Sequence, residues 1–170
     1  PFNPVYLLPL VEVVPHPLCS EETRAICLSA LASADMRPLL VRTEIDGHIA
    51  DRLLEAMWRE ALWLVHDNIA TTAEIDDAIK YGFGLRMAHM GLFETYRLGG
   101  GVGGFEAFLA QFGPALQWPW SHLTDVPDLD AALVQKIVAQ SDEQTGNVPH
   151  EQRLQDRDAK LVAILKAVGS

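Results

Sequence analysis

The run from Gly47 to Asn68, GHIADRLLEAMWREALWLVHDN, confines its polar residues to one narrow helical stripe, and this restricts the fold more than any other feature of the chain. At 3.6 residues per turn, His48, Arg52, Glu55, Arg59 and His66 share the stripe, and Ile, Leu, Met, Val, Ala and Trp fill nearly all the rest. So thin a polar face predicts neighbours on most sides, the position of a central helix in an all-α body. Glu60 breaks the pattern. It projects into the apolar arc between Leu53, Ala56 and Leu64, where a carboxylate needs a partner or a charged contact.

Before this helix the signals are of a different kind. Leu7 to Val14, LLPLVEVV, is apolar except for Glu12, the pattern of a strand buried on both faces as in a parallel sheet, with Pro9 near an edge or at its start. Ser20 caps a helix running to about Ala34, with Glu21 and Glu22 at its positive end, and Arg37 to Thr43 is a second strand. This is a βαβ unit. Two parallel strands make no stable sheet, so further strands are expected outside this sequence. The opening Pro1-Phe2-Asn3-Pro4, without an initiator Met, likewise predicts a chain cut from a longer one.

After Gly47 only helices are predicted. Thr71 or Thr72 caps TAEIDDAIKYG, with Glu74 placed for a capping contact and Gly82 and Gly84 ending it. The segment FGLRM reads as a loop leading into AHMGLFETYRL. FEAFLAQFGPALQ, a turn at Trp118-Pro119-Trp120, LDAALVQKIVAQ after Asp128 and an amphipathic helix from about Glu151 to Val168 follow, about seven helices in all. The fold class is therefore mainly α, a βαβ segment followed by an all-helical body.

Composition narrows the function. The chain has 170 residues, 49% of them hydrophobic, and a net charge of −10. Such an acidic surface argues against nucleic acid or an anionic membrane as partner, because both require a basic face, and favours small-molecule chemistry. Cys19 and Cys27, eight positions apart within one helix-like run, are too far apart for a disulfide and read as buried free thiols. No run reaches the length of a membrane span, so a reducing, cytoplasmic setting is expected.

Several motifs point away from familiar chemistry. Gly99, Gly101 and Gly104 match G-x-G-x-x-G, but a helix end precedes them where a dinucleotide turn needs a strand, so they read as an interhelical loop. The six histidines (16, 48, 66, 89, 122, 150) show no ligand spacing, and no metal is expected. No G-x-S-x-G elbow supports a serine hydrolase. Trp58, Trp63, Phe83, Tyr96, Phe105, Trp118 and Trp120 read first as helical core, and second as a cage for a quaternary ammonium group.

Three blocks, PFNPVYLLPLVEVV, GHIADRLLEAMWREAL and TTAEIDDAIKYGFG, together resemble the 3-hydroxyacyl-CoA dehydrogenase family, and within it the branch that acts on L-carnitine. The resemblance covers nearly the whole chain. It implies that residues 1–45 are the C-terminal edge of a Rossmann NAD-binding domain, and that residues 46–170 are the helical domain for substrate binding and homodimer formation. It implies NAD as cofactor, bound mainly by residues outside this sequence.

The family's dyad pattern, H-x-F-N-P followed by seven residues and Glu, is met by Phe2, Asn3, Pro4 and Glu12, with the His falling just before Pro1. In that chemistry imidazole takes the hydroxyl proton as hydride leaves for NAD, and the carboxylate orients the ring. The resemblance thus makes Glu12 the dyad carboxylate and Asn3 a substrate contact. Without it Glu12 would be a strand carboxylate paired with a structural base.

Where acyl-CoA members have G-F-I-x-N-R-L-L, this chain has Gly47-His48-Ile49-Ala50-Asp51-Arg52-Leu53-Leu54, and an anion at Asp51 suits a cationic substrate. Equally, Asp51 could serve only the helix dipole or pair with Arg52. The family's G-x-G-x-P-x-G-P-F-E stretch is replaced by Gly82-Phe83-Gly84-Leu85-Arg86-Met87-Ala88-His89-Met90-Gly91, which argues against a CoA thioester. Arg86 is the candidate for a substrate carboxylate, against the plainer reading of a surface residue. Glu60 is matched in acyl-CoA members and reads as structural, about 13 Å along the axis from Asp51.

Two alternatives stand beside carnitine oxidation: a 3-hydroxyacyl-CoA dehydrogenase, and a non-catalytic dimerisation module. The first prediction separates part from whole. The 170-residue chain alone should form no NADH with carnitine and should show negligible NAD binding by calorimetry, because it carries neither the phosphate-binding turn nor the dyad His.

Overall fold

In the computed structural model, which describes residues 1–88, 90–119, 121, 128, 130–145 and 149–168, strand β1 (Leu10–Val13) pairs in parallel with β2 (Arg37–Leu40), Leu10 opposite Arg37 and Val13 opposite Leu40. Helix α1 (Glu21–Ser33) makes the crossover and packs on β2. Ser20 Oγ accepts from Thr23 N at 3.1 Å and so satisfies an amide that the first turn would leave orphaned. The predicted βαβ unit is present, with each strand a few residues shorter than the apolar run that suggested it. Every residue of β1 is only half-buried, and α1 has no buried residue. Cys27 is exposed and Cys19 half-buried ahead of α1, both as free thiols, which corrects the expectation of two buried ones. Nothing among the described residues covers the outer face of α1.

Helix α2 (Ala50–His66) is the long apolar helix. It starts later than the stripe suggested: His48 has φ 49° and belongs to the turn before it. Its cover also falls short of expectation. Leu62 and Val65 are buried, but Leu53 is 60% and Trp58 55% exposed, so the amino half presents apolar side chains to solvent. The periodicity correctly reported an apolar face; it did not report whether this chain supplies what covers that face.

The chain divides into two compact units, Pro1–Ala56 and Met57–Ser170. In the second, α2 ends in a Schellman motif: Asn68 has φ 58°, Ile69 N donates to Leu64 O at 2.9 Å and Asn68 N to Val65 O at 3.2 Å. Lys136 Nζ adds a cation there, donating to Val65 O at 2.7 Å and to Asn68 Oδ1. Helix α3 (Thr72–Ala78) opens on a reciprocal capping box. Glu74 Oε2 accepts from Thr71 N at 2.8 Å and Thr71 Oγ1 accepts from Glu74 N at 3.3 Å. The Thr71 backbone donor first, and its hydroxyl second, hold the Glu74 carboxyl below its ordinary pKa.

The helical path is interrupted at Gly82, as its sequence predicts: φ −99° and ψ −121° there are non-helical and produce a kink. Gly84 N donates back to Ile79 O across this kink, a wide i to i−5 contact over Ile79–Phe83, and a separate short helix, α4 (Gly84–Met87), begins beyond it. The expected FGLRM loop is instead largely the short helix α4, set off from α3 by the break at Gly82.

Helices α5 (Leu92–Gly99) and α6 (Gly104–Phe112) form a hairpin through a 3-10 turn at Gly101–Gly103. Here the glycines have a steric reason. A Cβ on Gly100 would collide with the Gly104 carbonyl oxygen, and Gly104 itself has φ 62°. Helix α7 (Ala131–Thr145), capped by Asp130 Oδ1 accepting from Leu133 N at 2.8 Å, packs against α3, and α8 (His150–Val168) closes the chain. Of the aromatic residues expected in the core, Trp58 and Trp118 are exposed, Trp63, Phe83, Tyr96 and Phe105 are half-buried, and Trp120 lies outside the described residues, as do His89 and His122.

The hairpin yields a stability prediction. Gly100→Ala should lower the unfolding free energy by about 1–3 kcal/mol through overpacking, as read by denaturant melts. Gly113→Ala, whose added Cβ meets nothing within 4 Å, should stay within about 0.5 kcal/mol of wild type.

Candidate functional site

Glu12 stands in β1 opposite Leu39, and from there its carboxylate reaches the start of α2. Oε1 accepts two backbone hydrogen bonds, from Ile49 N at 2.8 Å and from Ala50 N at 3.2 Å. The local sequence explains the need. Ile49 and Ala50 are the N-cap and first helical residues, whose amides precede the intrahelical ladder, and Arg52 at the third helical position has no acceptor with which to reach back to the N-cap amide. An anionic acceptor suits the positive end of the helix dipole. Oε2 makes no hydrogen bond to any described residue.

Asp51 follows directly, in the first turn of α2, and is exposed. It makes no hydrogen bond or ion pair with any described residue, so the pairing with Arg52 considered from sequence does not form. Two carboxylates therefore meet at one helix end, one engaged by backbone amides and one unpaired. Asn3 is exposed on the segment that runs back along β1, where Phe2 N donates to Leu10 O at 3.2 Å. Arg86 belongs to the second unit. It sits on α4, exposed and without an ion pair among the described residues. Glu60 is half-buried beside Met57, Ala61, Leu64 and Ile69 on a cavity of about 380 Å³ within that unit.

A second concavity, which the sequence reading captured only in part, lies between α5 and α6. It measures about 440 Å³ and is lined by aromatic and aliphatic side chains. Tyr96 stacks on Phe108 at 4.5 Å and 11°, and Phe108 meets Phe112 at 4.8 Å. Phe93, Phe108 and Phe112 were not singled out from sequence, although Phe105, Phe108 and Phe112 recur at helical spacing on α6. Among the described residues no carboxylate lines this cavity, so they offer it ring faces without an accompanying anion.

A nicotinamide dinucleotide does not fit the βαβ segment present here. The β1 to α1 connection, Val14-Pro15-His16-Pro17-Leu18-Cys19-Ser20, has no glycine, and its two prolines remove backbone donors. The first turn of α1 is acidic and already capped by Ser20, where a pyrophosphate needs open amides. Among the described residues no group of three or more His, Cys, Asp or Glu could hold a metal ion.

Comparison with known proteins bears on the same residues. The sequence profile of the 3-hydroxyacyl-CoA dehydrogenase C-terminal domain matches residues 47–138. An L-carnitine dehydrogenase/betainyl-CoA thioesterase of Agrobacterium fabrum is 55% identical over 168 residues, covering 99% of this chain and 34% of that protein. An L-carnitine dehydrogenase of Pseudomonas aeruginosa is 52% identical over 168 residues, covering 99% of this chain and 52% of its own. The chain thus spans between a third and about half of the curated relatives it matches. Among solved structures, 5-formyl-3-hydroxy-2-methylpyridine 4-carboxylic acid 5-dehydrogenase, described as an NAD+ dependent dismutase, superposes with a TM-score of 0.72 at 22% identity, over 99% of this chain and 55% of that one. That likeness speaks for the fold.

The exposed, unpaired state of Asp51 and Arg86 makes a prediction about stability alone. Asp51→Asn and Arg86→Ala should each leave the unfolding free energy within about 0.5 kcal/mol of wild type. Thermal melts of both variants check it.

Proposed function

The chain belongs to the 3-hydroxyacyl-CoA dehydrogenase family, and we propose that it is the C-terminal portion of an NAD-dependent oxidoreductase that oxidises the 3-hydroxyl of L-carnitine to 3-dehydrocarnitine. The observation that carries this reading is the unpaired Asp51 carboxylate on the first turn of α2, next to the amides that Glu12 engages. A trimethylammonium group donates no hydrogen bond, so a site recognises it through negative charge, ring faces and shape. An acyl thioester has no positive charge for Asp51 to meet. The naming of relatives more than half identical to this chain as L-carnitine dehydrogenases supports the same choice.

In this proposal Glu12 is the carboxylate that orients an imidazole lying just before Pro1, and the imidazole takes the proton of the substrate hydroxyl. Asn3 contacts the substrate and Arg86 grips its carboxylate, a task a guanidinium performs with two parallel hydrogen bonds. NAD is held by residues outside this chain. Residues 1–45 form the edge of that NAD-binding domain, and residues 46–170 the helical part through which two copies pair. The cytoplasm is the proposed compartment; no helix of the described residues is long and apolar enough to cross a membrane.

The test is Asp51→Asn in the complete dehydrogenase, with kcat/KM for carnitine and the melting temperature measured on the same protein. At an effective dielectric of about 20, a charge pair about 4 Å apart interacts by roughly 4 kcal/mol, of which screening and desolvation leave part. A fall in kcat/KM of at least about tenfold, with unchanged melting, is expected. Unchanged kcat/KM with a lowered melting temperature makes Asp51 structural and overturns the substrate reading. A 3-hydroxyacyl-CoA thioester that competes with carnitine points to the acyl-CoA branch instead.

A further inference from the structure

Glu12 carries more than the dyad requires. A carboxylate whose task is to orient an imidazole needs one oxygen facing that ring. Here the other oxygen, Oε1, is engaged by Ile49 N and Ala50 N, two consecutive amides at the amino end of α2 and far away in sequence. Their helix offers no substitute: these are the N-cap amide and the first helical amide, and the third helical position, from which a Glu or Gln side chain could reach back to the N-cap amide, is Arg52, which has no acceptor. Removing the carboxylate leaves those amides to water and frees the start of α2 to fray.

The residue that fraying would displace is Asp51, next in the chain. Its carboxylate has no partner of its own among the described residues, so its position depends on the backbone that Glu12 holds. We infer that Glu12 is also a positioning residue for substrate recognition: through Oε1 it fixes the first turn of α2, and through that turn it places Asp51 against the substrate cation, while Oε2 remains for the imidazole. The inference rests on the function proposed above. It assigns the two oxygens of one carboxylate to the two halves of the reaction, proton removal and substrate placement.

The two halves separate by substitution. Glutamine keeps a carbonyl oxygen that accepts from both amides but has no charge to offer an imidazolium; alanine keeps neither. The experiment compares Glu12→Gln and Glu12→Ala in the complete dehydrogenase, reading kcat and KM for carnitine and the hydrogen exchange of the Ile49 and Ala50 amides. For Glu12→Gln we expect kcat to drop about a hundredfold, with KM within about twofold of wild type and both amides exchanging as slowly as before. For Glu12→Ala the loss of kcat should be joined by a rise in KM of about tenfold, the penalty of a misplaced contact, and by faster exchange at both amides.

Equal KM in the two variants, in a wild-type background that oxidises carnitine, overturns the inference. So does undiminished protection of the two amides in Glu12→Ala, or a lowered melting temperature with KM unmoved, which is the mark of a merely structural cap. A wild-type enzyme that does not oxidise carnitine defeats the functional proposal instead. If Glu12→Ala does not fold, Glu12→Asp, which keeps the charge but shortens the reach, takes its place in the comparison with the same expected rise in KM.

Discussion

Each helix leaves its first amides and last carbonyls without partners, and in this chain the longest apolar helix has both ends met by groups distant in sequence. Glu12 serves the amino end of α2, and Lys136 with Asn68 serves the carboxyl end. Buried or half-buried backbone groups left unpaired cost on the order of 1–3 kcal/mol each, so these contacts decide where α2 can begin and end. Each also ties the helix to an element of its own unit: β1 in the first, α7 in the second. Hydrophobic burial does less here than usual. Only Leu62 and Val65 of α2 are buried, and its amino half remains open.

Local signals were legible from the sequence wherever one turn of chain contains the whole interaction. Ser20 and its helix, the Thr71 and Glu74 box, and the strand-helix-strand order all appear as expected, because an acceptor and its amide lie within three residues or an apolar run defines a strand. The G-x-G-x-x-G pattern was read as an interhelical connection, and it is one: Gly101 and Gly104 have positive φ in the turn and Gly99 lies against the Phe108 ring. What failed was of another kind. Burial of Cys27 and cover over Leu53 and Trp58 depend on neighbours, which periodicity does not count. Gly82 does interrupt its helix as expected, but the short helix that restarts at Gly84 escaped, because a single turn carries too little periodicity to be read.

The site was legible only through residue patterns shared with a family, and those patterns name residues without saying how their atoms are used. Glu12 was singled out as a dyad member, yet its two backbone partners are invisible to spacing because they lie thirty-seven and thirty-eight positions away. A hint was available: with Arg52 at the third helical position there is no local carboxylate or amide oxygen to reach back to the Ile49 amide, so its acceptor must come from elsewhere. Asp51 shows the converse. Sequence left open whether it pairs with Arg52, and the absence of that pair distinguishes a carboxylate available to a ligand from one already neutralised.

The hairpin of α5 and α6 has a consequence for how this family can vary. At the turn end the main chain at Gly100 comes too close to the Gly104 carbonyl for a Cβ, and Gly99 lies against the Phe108 ring, so neither position takes a side chain without moving the helices. Further along, Tyr96 stacks on Phe108 and Phe93 meets Phe105, so ring size there bears directly on the gap between the helices, and frame and lining must change together.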